Sequence, residues 1–494
     1  MMYQFGMNYG ATLMDFLLIF MQEKKLNKMR RSNFCLFLLL ISLHALAQKD
    51  TVTLQVEQVL GMVKLYHPIV KQGYINIDKS KANMTIAQGA FNPIIGNYMT
   101  KKIVDNAQYY DYINPTIVIP TWYGVEISAG TETLSGNRYD PSESLGQSSY
   151  IGASIPLLKN LVMDKRRANL QQAKLFNDMA KTEQQSLINT ILMDAASVYW
   201  EWVNSYQIYL ISQKSLALSS KRLDMVRKAF MNGDYTAMDT VEAQSQLQNF
   251  EFQKNESWLK YQLVSIELSA FLWQEDDTPY QLPAFVVPDY GWDKEGNIMT
   301  FILDEEELLQ LAQQAHPDLV IYQTKLNSLE IDKKLKFQEL LPKLDFRYNH
   351  LSKGYNAFNN GISLFQNNYQ YALKLEMPIL FSQGRGEYKI AKLKIKENQF
   401  MQNQKARTIV LKVKSYFNEY QTLRKQIALQ RSMIDNVERL LKAEETLFAN
   451  GESALFIINS RENKVFEAER KLSELKTKYV KTIYALQWSA GLLR

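Results

Sequence analysis

Residues 409–451 read IVLKVKSYFNEYQTLRKQIALQRSMIDNVERLLKAEETLFANG, and this stretch decides the fold. Alternating steps of four and three residues pick out Ile409, Val413, Tyr416, Tyr420, Leu423, Ile427, Gln430, Ile434, Val437, Leu441, Glu444 and Phe448. Ten of these twelve positions are apolar, which sustains a seam over more than five heptads. Such a seam marks a helix packed lengthwise against others. From Gly384 to Asn450 no proline interrupts the hydrogen-bond ladder. At 1.5 Å per residue the helix is roughly 100 Å long. An ordinary globular domain has no use for that length, whereas a rod or a tunnel wall does. Asn450-Gly451 then ends the helix, because glycine accepts the left-handed cap.

The pattern occurs twice. Counting back from this seam, the equivalent positions are Ile191, Ala195, Val198, Trp202, Ser205, Tyr209, Ser212, Leu216, Ser219, Leu223, Val226 and Phe230, nine apolar and three serine. Phe230, Asn232 and Gly233 match Phe448, Asn450 and Gly451, and His67-Pro68 recurs as His316-Pro317. Pro93 matches Pro342, and Ile155-Pro156-Leu157 matches Met377-Pro378-Ile379. Repeat one spans 48–273 and repeat two 303–494, joined by an equatorial linker over 274–302. Repeat one carries about 30 extra residues between 94 and 154. Each repeat orders its parts in the same way: a helix to the His-Pro, a second helix to the proline at 93 or 342, two β segments, a long helix, the Asn-Gly turn and a last helix. The strands are expected at about 94–104 and 148–156, then at about 343–352 and 368–377. The helices are expected at about 159–230 and 236–273, then at about 384–450 and 453–493.

The β segments alternate. Leu344, Phe346 and Tyr348 interleave with Asp345, Arg347 and Asn349, and Tyr369, Tyr371, Leu373, Leu375 and Met377 interleave with Gln370, Ala372, Lys374 and Glu376. A membrane strand with lipid on one side and water on the other needs this period. A half-buried soluble sheet has the same period and is the alternative. Residues 105–147, rich in Tyr, Asn, Ser and Gly, read as a long external loop or hairpin with Pro120-Thr121-Trp122-Tyr123 near the interface. Four strands per chain close no barrel, and an open edge cannot sit in lipid, so several copies must pool their strands if these are transmembrane.

Residues 29–47 read as a secretory signal peptide: Arg30-Arg31, an apolar run from Phe34 to Leu43, then Ala45-Leu46-Ala47. A membrane anchor is the alternative, although the run is short for one. Residues 1–28 read as a start-site extension. The only cysteine, Cys35, lies inside the leader, so the remaining chain can fold in an oxidising compartment without disulfides. The net charge of +6 drops to +3 when the five basic and two acidic residues before position 48 are set aside. That even balance points away from nucleic acid.

These features together resemble the TolC-like outer-membrane efflux protein family. The resemblance rests on the paired His-Pro breaks, Pro156-Leu157-Leu158 with Pro378-Ile379-Leu380-Phe381, Gln383-Gly384-Arg385 at the opening of the long helix, and Phe-x-Asn-Gly at both tips. It implies a mainly helical chain with transmembrane β segments. Three copies would form a twelve-stranded barrel in the outer-membrane lipid and a coiled-coil α-barrel through the periplasm. It also implies docking to a periplasmic adaptor and an inner-membrane pump of RND or ABC type, with passive conduction. The tips would form the periplasmic gate, which places Phe230, Asn232, Gly233, Asp239, Phe448, Asn450, Gly451 and Ser453 there. Asp239 matches the family's gate aspartate. Phe448 and Ser453 stand where that network has a tyrosine and an arginine, and Ile457 and Ser460 replace its inward aspartates. Arg227, Lys228, Glu444 and Glu445 are the charges left to supply other links. The competing reading is a periplasmic coiled-coil structural or adaptor protein without a barrel. The duplicated helix-strand-strand-helix order favours the duct.

Catalytic chemistry has no foothold in the sequence. His67, His316 and His350 lack ligand spacing, and two of them precede proline at helix ends, which points to capping or packing. There is no Cys-x-x-Cys, His-Glu-x-x-His, phosphate loop or nucleophile elbow. No enzyme, metal or cofactor is expected.

Overall fold

A computed structural model describes residues 52–136, 146–291, 303–355, 364–365 and 368–494. The expected leader at 29–47, the extension at 1–28 and the linker residues 292–302 lie outside them. The chain divides into two units. In the small unit the described residues are Val52, Thr53 and Pro283–Val287, where the Val52 N–H donates to the Phe285 carbonyl at 3.1 Å. Leu54–Leu282 with Pro288–Arg494 make the large unit, which holds every long element.

In chain order the elements are β1 (Val52–Leu54), α1 (Val56–Tyr66), α2 (Pro68–Gly89), β2 (Ile94–Val104), β3 (Ala107–Pro120), β4 (Glu126–Ser135), β5 (Gly146–Pro156), α3 (Lys165–Met231), α4 (Ala237–Ser269) and β6 (Val286–Pro288). Repeat two adds α5 (Glu305–Ala315), α6 (Pro317–Gln338), β7 (Lys343–Lys353), β8 (Tyr369–Glu376), α7 (Ser382–Ala449) and α8 (Leu455–Ser489).

The two His-Pro joints show how sequence sets local structure. A residue before proline is pushed out of the helical region, and His67 and His316 are extended, with ψ of 131° and 125°. The proline then opens the next helix, where its missing N–H is no loss. Each imidazole caps that helix: Nδ1 of His67 accepts from the Ile69 N–H at 3.2 Å, and Nδ1 of His316 from the Asp318 N–H at 3.1 Å. An Nδ1 that accepts must be unprotonated.

Helices α3 and α7 run 67 and 68 residues, roughly 100 Å each. Each is flanked by two shorter helices. Beside α3, α2 packs near the sheet, where Gly73 lies against Gln184, and α4 packs further along, where Trp202 Nε1 donates to Ser265 Oγ at 2.8 Å. The same division holds for α6 and α8 beside α7, through Lys336–Glu387 at 2.8 Å and Lys478–Glu419 at 2.8 Å. The seam of α7 is buried at Ile409, Val413, Tyr420, Leu423, Ile427 and Ile434. The three seam serines of α3, Ser205, Ser212 and Ser219, are all buried, and Ser205 and Ser212 send their hydroxyls back to their own helix carbonyls. The repeats are stitched together by Ser473 Oγ with Asn204 Oδ1 at 2.8 Å and by the Asn189 Nδ2 donation to the Trp488 carbonyl at 2.9 Å.

The curled sheet is antiparallel throughout, in the order β2-β3-β4-β5-β7-β8. It has six strands where the repeat-by-repeat reading expects four. Much of the stretch 105–147, read above as an external loop or hairpin, is the hairpin β3–β4, inserted between the two strands that repeat one shares with repeat two. Its turn at 121–125 faces the helices rather than the outer end, since Pro120 pairs with Glu126 beside the start of α3.

Candidate channel wall and helix tips

The strand registers sort the side chains onto two faces. On one lie Ile95, Met99, Ile113, Ile117, Ile127, Ile151, Ile155, Phe346, Leu373 and Leu375. On the other lie Thr100, Asn114, Thr116, Ser128, Glu132, Ser148, Arg347, Gln370, Lys374 and Glu376. Ile95 is 82% exposed and Leu375 65%, so the apolar face stands uncovered at both margins. The polar face is cross-linked across three strands. Tyr112 Oη donates to Glu132 Oε1 at 3.0 Å, Asn114 Nδ2 to Tyr112 Oη at 2.7 Å, and Tyr150 Oη to Asn114 Oδ1 at 3.3 Å. Tyr150 reaches Asn114 by crossing Gly130, where a Cβ would stand 2.7 Å from its hydroxyl. Lys343, Asp345, Lys374 and Glu376 pair on the same face. The apolar face also carries polar side chains toward the end far from the helices, among them Thr131, Thr133, Ser149, His350 and Ser352, and there Lys101 pairs with Asp111 at 3.5 Å. At that end Tyr348, Phe365 and Tyr369 cluster, and Phe365 N–H donates to Tyr348 Oη at 2.9 Å. Aromatic side chains at the rims of an apolar band are what a lipid interface favours.

At the helix end of the sheet, Trp122 stacks on Phe91 with centroids 4.4 Å apart. Arg166 meets Glu126 at 2.7 Å, and Arg167 donates to the Leu161 carbonyl at 3.1 Å while held by Asp164 at 2.8 Å. Repeat two turns into its long helix through Phe381, which has a left-handed φ of 47°. Gly384 follows because a Cβ there would stand 2.6 Å from the Glu339 carbonyl oxygen.

Both distal tips close in the same geometry. Gly233 and Gly451 take φ of +87° and +78°. Asp234 N–H donates to the Ala229 carbonyl and Gly233 N–H to that of Phe230, each at 3.0 Å. In repeat two, Glu452 N–H donates to the Leu447 carbonyl at 2.9 Å and Gly451 N–H to that of Phe448 at 3.0 Å. This paired bonding is the Schellman cap, and the positive φ is why glycine sits there. Asp239 serves the next helix: its carboxylate accepts from the Thr236 N–H at 2.9 Å and from Oγ1 at 2.7 Å, while its own N–H donates back to Oγ1. Phe230 and Phe448 do not meet. Phe230 is exposed, and Phe448 stacks on Tyr235 at 5.5 Å over a small core of Leu223, Val226, Ala243 and Leu455. Ser453 donates to Glu444, whose other oxygen lies 3.8 Å from Arg461 Nε.

A buried polar link near the tips centres on Arg222 and Glu462, which the sequence reading passes over. Arg222 of α3 is buried and places Nε 2.9 Å from Glu462 of α8 and Nη2 3.0 Å from Glu445 of α7. Burial pushes the Glu462 carboxyl above its usual range, against the pull of the guanidinium. Arg222 precedes the seam residue Leu223, so in sequence it looks like any solvated charge on a helix flank. Of the four charges named as candidate links, Glu445 joins Arg222, Glu444 joins Ser453 and Arg461, and Arg227 donates to Gln244 at 2.9 Å. Among the described residues, no group of three or more His, Cys, Asp or Glu could hold a metal ion, and no helix is long and apolar enough to cross a membrane.

Residues 308–492 match the family model described as outer membrane efflux protein. No curated protein matches the chain. Among solved structures, the CmeC outer membrane channel of Campylobacter jejuni aligns with a TM-score of 0.60 at 13% identity, covering 89% of this chain and 86% of its own. The outer membrane protein VceC of Vibrio cholerae gives 0.60 at 13% identity, over 88% and 96%. The open state of the Neisseria gonorrhoeae MtrE outer membrane channel gives 0.60 at 10% identity, over 89% of both. The stretch 308–492 is thus similar to the outer membrane efflux proteins, and the chain that carries it has the fold of the TolC-like outer-membrane channels.

Proposed function

We propose that this protein is an outer-membrane exit duct of a tripartite efflux or secretion system. Three copies pool their sheets into a lipid-embedded barrel, and their long helices continue as a tunnel through the periplasm. A periplasmic adaptor and an inner-membrane pump of RND or ABC type supply cargo and energy, and the duct conducts passively without chemistry on what passes.

The observation that carries this reading is the two-faced sheet. Its apolar face suits lipid and its hydrogen-bonded polar face suits a water-filled lumen. Among the described residues, β2 pairs only with β3 and β8 only with β7. Those free margins need partners in lipid, and neighbouring copies provide them. The tips bearing Phe230, Asn232, Gly233, Asp239, Phe448, Asn450, Gly451 and Ser453 form the periplasmic entrance. In place of the family's acidic ring, packing of Phe448 on Tyr235 and the Arg222 ion group hold that entrance together.

The test is the purified protein in a planar bilayer, where discrete conductance steps are expected. Phe448→Ala and Asp239→Ala should change the size or lifetime of those steps. Unchanged steps would remove the tips from the gate, and a monomer that dissolves without detergent would remove the duct.

A further inference from the structure

We infer that the hairpin β3–β4 is part of the membrane wall, so that three copies of this chain build a barrel of eighteen strands rather than twelve. The inference rests on the duct reading. It concerns the width of the barrel, not its existence.

Four observations carry it. First, the hairpin lies between β2 and β5 in one continuous strand order, so the sheet cannot close around it without taking it in. Second, its strands are 14 and 10 residues long, beside 11 for β2, β5 and β7. About 9–11 residues are what a tilted strand needs to cross a bilayer. Third, the hairpin follows the same division of faces over its helix-end half, with Ile117, Ile119, Ile127 and Ala129 on the apolar side and Thr116, Glu126 and Ser128 on the polar side, and carries Thr131 and Thr133 on the apolar side further out. A hairpin standing in water beyond the barrel has no need of that division. Fourth, its turn is moored at the helix end, through Trp122 on Phe91 and Glu126 on Arg166, so both strands cover the full height of the sheet.

The consequence is geometric. With strands about 4.8 Å apart and tilted by about 40°, twelve strands give a backbone cylinder roughly 24 Å across and eighteen give roughly 36 Å. Barrels of 16–18 strands leave an open aqueous channel. The barrel is then wider by half than the resemblance implies, and it admits cargo of correspondingly larger cross-section.

Single cysteines placed in the full chain, with Cys35→Ser removing the only native thiol, test this in outer membranes. A water-soluble maleimide should label Asn114→Cys, Thr116→Cys and Ser128→Cys and spare Ile113→Cys, Ile117→Cys and Ile127→Cys. Lys374→Cys and Leu373→Cys on β8 provide the same contrast outside the hairpin. Alternation at all these positions, with three copies by native mass measurement, supports eighteen strands. Labelling throughout the hairpin while β8 still alternates overturns the inference and leaves the duct intact. Two copies instead of three also overturn the count. Loss of alternation on β8 as well overturns the duct itself.

Discussion

At the scale of single residues, the molecule relies on a few buried polar groups whose removal should be felt far from the exchange with water. Arg222 answers two carboxylates, one of them in the buried Glu462. Arg222→Ala leaves that acid without its partner, and breaking a buried pair in this way costs about 3–5 kcal/mol. A lowered denaturation midpoint is expected. Arg222→Met combined with Glu462→Leu should recover most of the loss, because the stranded charge is gone. The two capping histidines predict a pH dependence. Burial lowers the pKa of His67 and of His316. A base whose folded pKa is depressed binds fewer protons folded than unfolded, so stability is complete above the unfolded value of about 6.5 and falls as pH drops below it. Unfolding followed at pH 7.5 and 5.5 should show this slope. His67→Asn with His316→Asn, which keeps a capping oxygen, should flatten it. The sequence showed these histidines at helix ends before proline, and their capping role follows from that spacing. It did not show Arg222, because this charge becomes buried only when α3 meets the α7–α8 hairpin more than 200 residues further along the chain.

At the scale of elements, Gly384 opens α7 against the end of α6. Gly384→Ala drives a methyl into the Glu339 backbone carbonyl, which cannot swing aside. Overpacking of this kind costs about 1–3 kcal/mol. The check is a reduced yield of assembled protein with the isolated helical content preserved by circular dichroism. The long helices were legible because heptad spacing is a local signal repeated many times, and the seam residues Val413 and Ile427 are fully buried. The inserted hairpin was harder to see. In β3, Ile113, Ile117 and Ile119 alternate as a strand should, but Pro115 interrupts them, and proline within such a run argues against a paired strand. The sheet tolerates it because the pairing with β4 has a gap at Asn114 and Pro115. Tyr150 over Gly130 was likewise invisible, since the two lie on different strands and meet only through register.

At the scale of the whole molecule, the margins β2 and β8 would set the assembly of the proposed duct. Cysteines scanned along Ile95–Ile103 and along Tyr371–Leu375 should give copies linked in closed rings under oxidation, read as discrete bands on non-reducing gels. Linkage confined to two copies, or none at any register, would rule out a pooled wall. Sequence alone could say that strands must be shared if they cross a membrane, because an unpaired edge is intolerable in lipid. It could not say how many each copy brings, because that depends on where the extra residues fold. The two long helices differ by a single residue in length, 67 against 68, and both tips end in the same glycine cap. All of the surplus in repeat one lies on the far side of Pro93 and Pro156. In the proposed duct, calibre and reach are therefore set by separate stretches of the polypeptide. In that duct, selection can remodel the mouth that opens to the surroundings by adding or trimming a hairpin there, while the end that would meet the proposed adaptor keeps its fit.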